Sequence, residues 1–121
     1  MRKHIELGMK GEDMAERFLM ENGYKILERN VRMRCGEIDI VCLARDGTLV
    51  FVEVKTMRES NNGLVPEDQM SNSKRMKFER VASIYANQSS HVREDKGWQL
   101  DLVCIAIGEG RPPTIRHYKN I

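Results

Sequence analysis

The chain lacks any apolar run approaching the ~20 residues needed to cross a bilayer, so a membrane-spanning role is not expected. No apolar stretch backs the basic residues of the opening "MRKHIELGMKGED", so it is not read as a signal peptide, and the expected location is cytoplasmic. Cysteine is scarce and odd in number. Cys35, Cys42 and Cys104 are widely spaced, which argues against a disulfide framework and for free, buried thiols. His4, His91 and His117 form no zinc-ligand spacing with them. There is no internal repeat and no low-complexity tract. The glycines of "GMKG" are followed by no Gly-Lys-Ser/Thr, which excludes a P-loop. Charge of one sign is also missing. Lys and Arg number 20 against 18 Asp and Glu, a net +2, so a nucleic-acid partner must be argued from local charge.

What is present suits a globular fold. At 121 residues, with 40% hydrophobic and 31% charged side chains, the chain is expected to form one domain over 1–121. Folding would bury roughly two thirds of the surface its unfolded chain exposes. From about Ile5 to Asn22, Leu7, Met14, Ala15, Phe18 and Leu19 recur at helical spacing, and Asn22-Gly23 is a stop signal. Tyr24 to Val31 suits a first strand. "GEIDIVCLA" and "TLVFVEVKT" are stronger strands separated by "RDG". "NNGLVPEDQMSN" reads as a mobile loop. A second helix from about Ser73 to Asn87 carries Phe78, Val81, Ala82 and Tyr85 on one face. "WQLDLVCIAI" and "TIRHY" are strands joined by the turn "GEGRPP". The order α-β-β-β-α-β-β predicts an α/β fold, a central mixed sheet flanked by helices. Trp98 is assigned to the core, and Asp101 to a backbone cap or an arginine pair.

The turn between the two central strands decides which side chains meet. A two-residue Asp-Gly loop would pair Arg45 with Thr48. A three-residue loop, with Gly47 left-handed as a G1 bulge, pairs Ala44 with Thr48 and sets Asp39 opposite Glu53. The second register is preferred because it gathers charge. Opposed residues share a face and side chains alternate, so Glu37, Asp39, Glu53 and Lys55 would project to one side. Val50, Val52 and Val54 would project to the other. Two carboxylates about 5 Å apart at the backbone repel. A divalent cation relieves that: Mg²⁺ takes hard oxygen ligands, and the Val54 carbonyl can add one. Lys55 would orient a water or stabilise charge on phosphate. Glu12 borders the buried stripe of the first helix and would complete the site. The basic run "SKRMKFER" offers Lys74, Arg75, Lys77 and Arg80 to phosphates, with Arg29, Arg32 and Arg34 nearby; the plain alternative is a solvated helix face.

A helical Glu, an Asp in a strand and Glu-x-Lys in the next strand resemble the PD-(D/E)xK nuclease superfamily with the restriction-endonuclease-like fold. "GMKGEDMAERFLMENGYKILERN", "GEIDIV", "VFVEVKT", "PEDQMSNSKRMKFERVASIY" and "LDLVCIAI" more closely resemble the YraN family of small bacterial proteins. That family is itself similar to archaeal Holliday-junction resolvases and is regarded as predicted endonucleases. The resemblance implies catalytic positions at Glu12, Asp39, Glu53 and Lys55, a companion acid at Glu37, and a further family position at Lys74. Two places depart from the pattern. Met57 stands where a basic residue is usual, with Arg58 next, and Gln99 stands where an arginine is usual two residues before Asp101.

The expected function is Mg²⁺-dependent hydrolysis of nucleic acid, with Mn²⁺ as a substitute and DNA as the favoured substrate. Asp39, Glu53 and the Val54 carbonyl would hold the ion. Arg34, Lys74, Arg75 and Lys77 would bind the nucleic acid. Branched DNA and a homodimer enter through the resemblance alone. The alternative is a non-catalytic nucleic-acid-binding module with the same fold, and a third reading is a protein-interaction domain.

Overall fold

A computed structural model describes the chain over residues 2–58 and 70–121, with side chains described from residue 7 onward. Helix α1 (Arg2–Glu21) is followed by β1 (Lys25–Met33), β2 (Gly36–Leu43), β3 (Leu49–Arg58), α2 (Asn72–Gln88), β4 (Trp98–Ile107) and β5 (Thr114–Tyr118). The element order is the expected one, and the fold fits the restriction-endonuclease-like class. Helix α1 begins three residues earlier than its apolar stripe suggests. Residues 61–69 of the loop expected over 61–72 lie outside the described residues, and Asn72 already begins α2.

The five strands form one sheet in the order β1-β2-β3-β4-β5. Among the described residues only β3 and β4 pair in parallel. Parallel neighbours need a long crossover, which the segment containing α2 supplies. Flanked on both sides by paired strands and covered on both faces by helices, β3 and β4 are nearly continuous apolar runs rather than alternating ones.

Each helix buries a stripe against one face of the sheet. Under α1, Ala15 and Leu19 pack on Ile40, Cys42, Val50, Val52, Val103 and Ile105. Under α2, Phe78, Val81 and Ala82 pack on Ile38, Val41, Phe51 and Leu100. Strand β3 therefore sends Val50 and Val52 to α1, and Leu49 and Phe51 to α2. The Phe51 ring meets Tyr85 and Trp98 edge-to-face at 5.5 and 5.6 Å, which places Trp98 against the core as expected. Cys42 and Cys104 are buried and Cys35 is half-buried; none is in a disulfide.

Three local details fix this frame. Helix α1 ends in a Schellman motif: Gly23 at φ 89° donates to the Met20 carbonyl and Tyr24 to that of Leu19. The β2–β3 turn holds three residues. The Ala44 N–H donates to the Thr48 carbonyl and the Gly47 N–H to the Ala44 carbonyl, with Gly47 at φ 92°. Leu43 then pairs with Leu49 and Ile40 with Val52, the register that the preferred turn predicts. Finally, α1 crosses β3 closely at Gly11, where a Cβ would lie 1.8 Å from Thr56 Oγ1. The Glu12 turn of α1 thus sits over the far end of β3, while its C-terminal turn sits over the β2–β3 connection.

Candidate functional site

Ladder pairing between β2 and β3 runs from Leu43–Leu49 to Ile40–Val52 and goes no further. The strands part where the acids begin. In a regular strand Ile38 and Ile40 would share a face, yet Ile38 packs under α2 and Ile40 under α1. The alternation breaks at Asp39. Across β1 the pairing also skips the Asn30–Asp39 position, and Asn30 has φ 52°. Asp39 therefore turns into the seam between β2 and β3, where its Oδ2 accepts from the Val54 N–H at 2.8 Å. Expecting Glu37, Asp39, Glu53 and Lys55 on one face was wrong for Asp39, because that expectation assumed unbroken pleating.

Glu53 and Lys55 do share a face. Lys55 Nζ lies 3.7 Å from Glu53 Oε1, and both are about three-quarters buried. With Glu37, Lys74 and Lys77 they line a cavity of about 250 Å³ beneath the start of α2. Glu37 is exposed and pairs with Arg32 at 3.7 Å, so the partner of Lys55 is Glu53 rather than the Glu37 opposite it in the ideal ladder.

The electrostatics follow from this crowding. Burial, then the charge of Glu53, lift the Asp39 carboxyl from 3.8 to about 7; the Val54 N–H and Lys55 only partly offset them. Burial also raises Glu53, opposed by Lys55 and Lys74. Lys74 is pushed below the usual lysine range chiefly by Lys55, with Glu53 acting the other way. Two ammonium groups thus crowd one carboxylate.

Glu12 reaches the neighbourhood, since its charge acts on both Asp39 and Glu53, but its carboxylate is already engaged. Arg29 Nη2 lies 3.4 Å from Glu12 Oε2. Arg29 Nη1 also meets Asp13 at 2.8 Å and Glu16 at 3.3 Å. With its amide nitrogen turned inward, Asn30 donates to Glu12 at 3.1 Å. This network was not anticipated: Arg29 was counted with the phosphate-binding arginines, and only its place on the sheet gives it to α1. Arg75, another expected phosphate contact, pairs with Glu79 at 3.3 Å and donates to the Ile121 carbonyl at 3.1 Å. Arg34 is exposed at the β1–β2 turn.

The donor set suits a hard cation in part. Among the described residues no three His, Cys, Asp or Glu groups converge as a metal cluster. The chain offers two neighbouring carboxylates and the Val54 carbonyl, and Mg²⁺ characteristically takes one or two carboxylates and completes its shell with water and phosphate.

Asp101 is buried beside this machinery but apart from it. Its Oδ1 accepts from Gln99 Nε2 at 2.8 Å and from the Asn120 N–H at 3.0 Å. Its Oδ2 is 2.7 Å from His117 Nε2. The expected backbone cap is present, and the ring that meets the carboxylate is a histidine rather than an arginine. Gln99 supplies a donor at the place where the resembled family usually has an arginine.

Comparison with known proteins agrees with the motifs. The model of a family described as "Uncharacterised protein family UPF0102" matches residues 11–105. A "UPF0102 protein" of Rhodococcus opacus (strain B4) is 38% identical over 120 residues, covering 99% of this chain and 98% of its own. One from Syntrophomonas wolfei subsp. wolfei is 38% identical over 115 residues, covering 95% and 96%. "UPF0102 protein GSU0650" of Geobacter sulfurreducens is 39% identical over 115 residues, covering 94% and 86%. The chain belongs to the UPF0102 family, the YraN family that its motifs resemble.

Proposed function

We propose that this protein hydrolyses phosphodiester bonds of nucleic acid, with DNA as the favoured substrate and Mg²⁺ or Mn²⁺ as cofactor. One observation carries the reading: the Asp39 carboxyl is held up at about 7, by burial first and then by the charge of Glu53 on the neighbouring strand. Asp39, Glu53 and the Val54 carbonyl are the ligands. A bound divalent ion supplies charge neutralisation at the phosphate and eases deprotonation of water. Lys55, fixed beside Glu53, positions the attacking water and faces charge that develops on phosphate. Lys74 and Lys77 flank the same cavity, and the α2 N-terminus, capped by Ser71, favours an anion there. Glu12, held by Arg29, orients a water from the α1 side. Branched DNA and a two-fold dimer rest on the similarity to junction resolvases, since two symmetric cuts suit a two-fold axis.

The runner-up, a binding module without catalysis, draws on the engagement of Glu12 by Arg29 and Asn30. A divalent-metal titration, followed by cleavage assays on linear, single-stranded and branched DNA, separates the two. Cutting that requires Mg²⁺ or Mn²⁺ and falls by at least about a hundredfold in Asp39→Ala and Lys55→Ala is expected. DNA binding with no cutting of any substrate would refute the enzyme reading.

A further inference from the structure

At the other end of β3, ~20 Å along the strand from Lys55 at the usual rise per residue, lies a second and larger cavity. It measures about 540 Å³ and opens among Phe18, Tyr24, Arg45, Gln99, His117 and Lys119. Its volume is that of a small-molecule site. Its floor is built rather than incidental. The His117 side chain is 8% exposed and Asp101 is fully buried. Phe18 and Tyr24 hold the imidazole by edge contacts at 5.9 and 5.7 Å. Asp101 holds Nε2 at 2.7 Å, and the ring lines the cavity.

The charge at the rim is also unspent. Asp46 is occupied by the Thr48 N–H at 3.0 Å and lies near Lys96. Asp101 is saturated by Gln99, Asn120 and His117. Arg45 and Lys119 line the cavity, and among the described residues neither is paired with a carboxylate. Arg45 lies across Gly23, where a Cβ would come within 1.8 Å of its Nε. The helix end is thus left bare for the guanidinium to cross.

We propose that this cavity binds a nucleoside phosphate, either free or as the terminal nucleotide of a strand. Arg45 and Lys119 take the phosphate, Phe18 and Tyr24 flank the apolar body, and His117 hydrogen-bonds the ligand from the floor. The proposal does not depend on hydrolysis at Asp39 and Glu53.

The test titrates the full chain, without divalent metal, with inorganic phosphate, adenosine, adenosine 5′-monophosphate, and one oligonucleotide bearing either a 5′-phosphate or a 5′-hydroxyl. The ¹⁵N resonances of the His117 ring and the backbone amides report binding. The monophosphate is expected to shift His117 and to bind at least about tenfold more tightly than adenosine. Arg45→Ala/Lys119→Ala, at exposed positions, should weaken it about tenfold with the fold intact by circular dichroism; His117→Gln should do the same if it folds. A response to the free nucleotide alone identifies a free ligand, and preference for the 5′-phosphorylated strand identifies a strand end. No His117 shift with any probe, or binding untouched by the double substitution, overturns the proposal and leaves the dyad a clasp for the C-terminal segment.

Discussion

Asp39→Asn should make the metal-free protein more stable at alkaline pH, although it alters a residue placed in the site. The magnitude comes from the carboxyl's displacement. Asp39 rises from 3.8 to about 7 in the folded chain, and at ~1.4 kcal/mol per unit this amounts to ~4 kcal/mol. Below pH 3.8 both folded and unfolded chains carry the proton, and no penalty exists. Between 3.8 and about 7 the folded chain keeps it while the unfolded chain releases it, so stability falls as pH rises through that window. Above about 7 the folded chain bears the whole cost of an ionised acid beside Glu53. Asn cannot ionise, and its carbonyl oxygen can still accept from the Val54 N–H. Because part of the penalty is shared with Glu53, a gain of ~2–4 kcal/mol is expected at pH 8, vanishing near pH 4. Urea unfolding at several pH values in a chelator measures it. Added Mg²⁺ should stabilise the wild type and not the variant, which narrows the gap. An Asn variant no more stable than wild type at pH 8, with the same pH slope, would refute the reasoning.

Two further substitutions test the frame that sets the site. Gly11→Ala drives a methyl to within 1.8 Å of Thr56 Oγ1 and 2.9 Å of its Cβ. It should cost ~1–3 kcal/mol in urea unfolding, and it should lower activity because Glu12 follows directly. Phe51→Ala empties a fully buried position between Tyr85 and Trp98; thermal or urea unfolding should register ~3–5 kcal/mol.

The fold was legible where the signals were local. Gly47 marked the three-residue turn, Asn22-Gly23 marked the end of α1, and the period of Phe78, Val81, Ala82 and Tyr85 marked the face of α2. Glu53 and Lys55 followed from simple alternation once the turn was set. Asp39 was harder, because alternation is a rule for paired strands and β2 pairs with β3 only from Ile40 onward. Arg29 was illegible for a similar reason: a bulge between Ile26 and Glu28 and the left-handed Asn30 decide which face it reaches. The Asp101–His117 contact joins residues on β4 and β5 that lie diagonally across the ladder, since Val103 pairs with His117. Only the pairing register reveals that neighbour.

The two acids inside the sheet are treated unequally, and the inequality separates their roles. Asp101 is fully buried yet receives Gln99, the Asn120 N–H and His117. A buried carboxylate with that many donors has recovered much of its lost hydration. Among the described residues Asp39 accepts from the Val54 N–H alone, and the charge of a second acid, Glu53, acts on it. Folding has left it short of donors and close to a like charge, with Lys55 only partly compensating. A chain under selection for stability alone would have little reason to keep that arrangement, since Asn would fit the same seam. A cation brought from outside would relieve the imbalance. On this argument Asp101 holds His117 in place, while Asp39 would be the acid that gains from a ligand, and the sign of the Asp39→Asn stability change distinguishes the two cases.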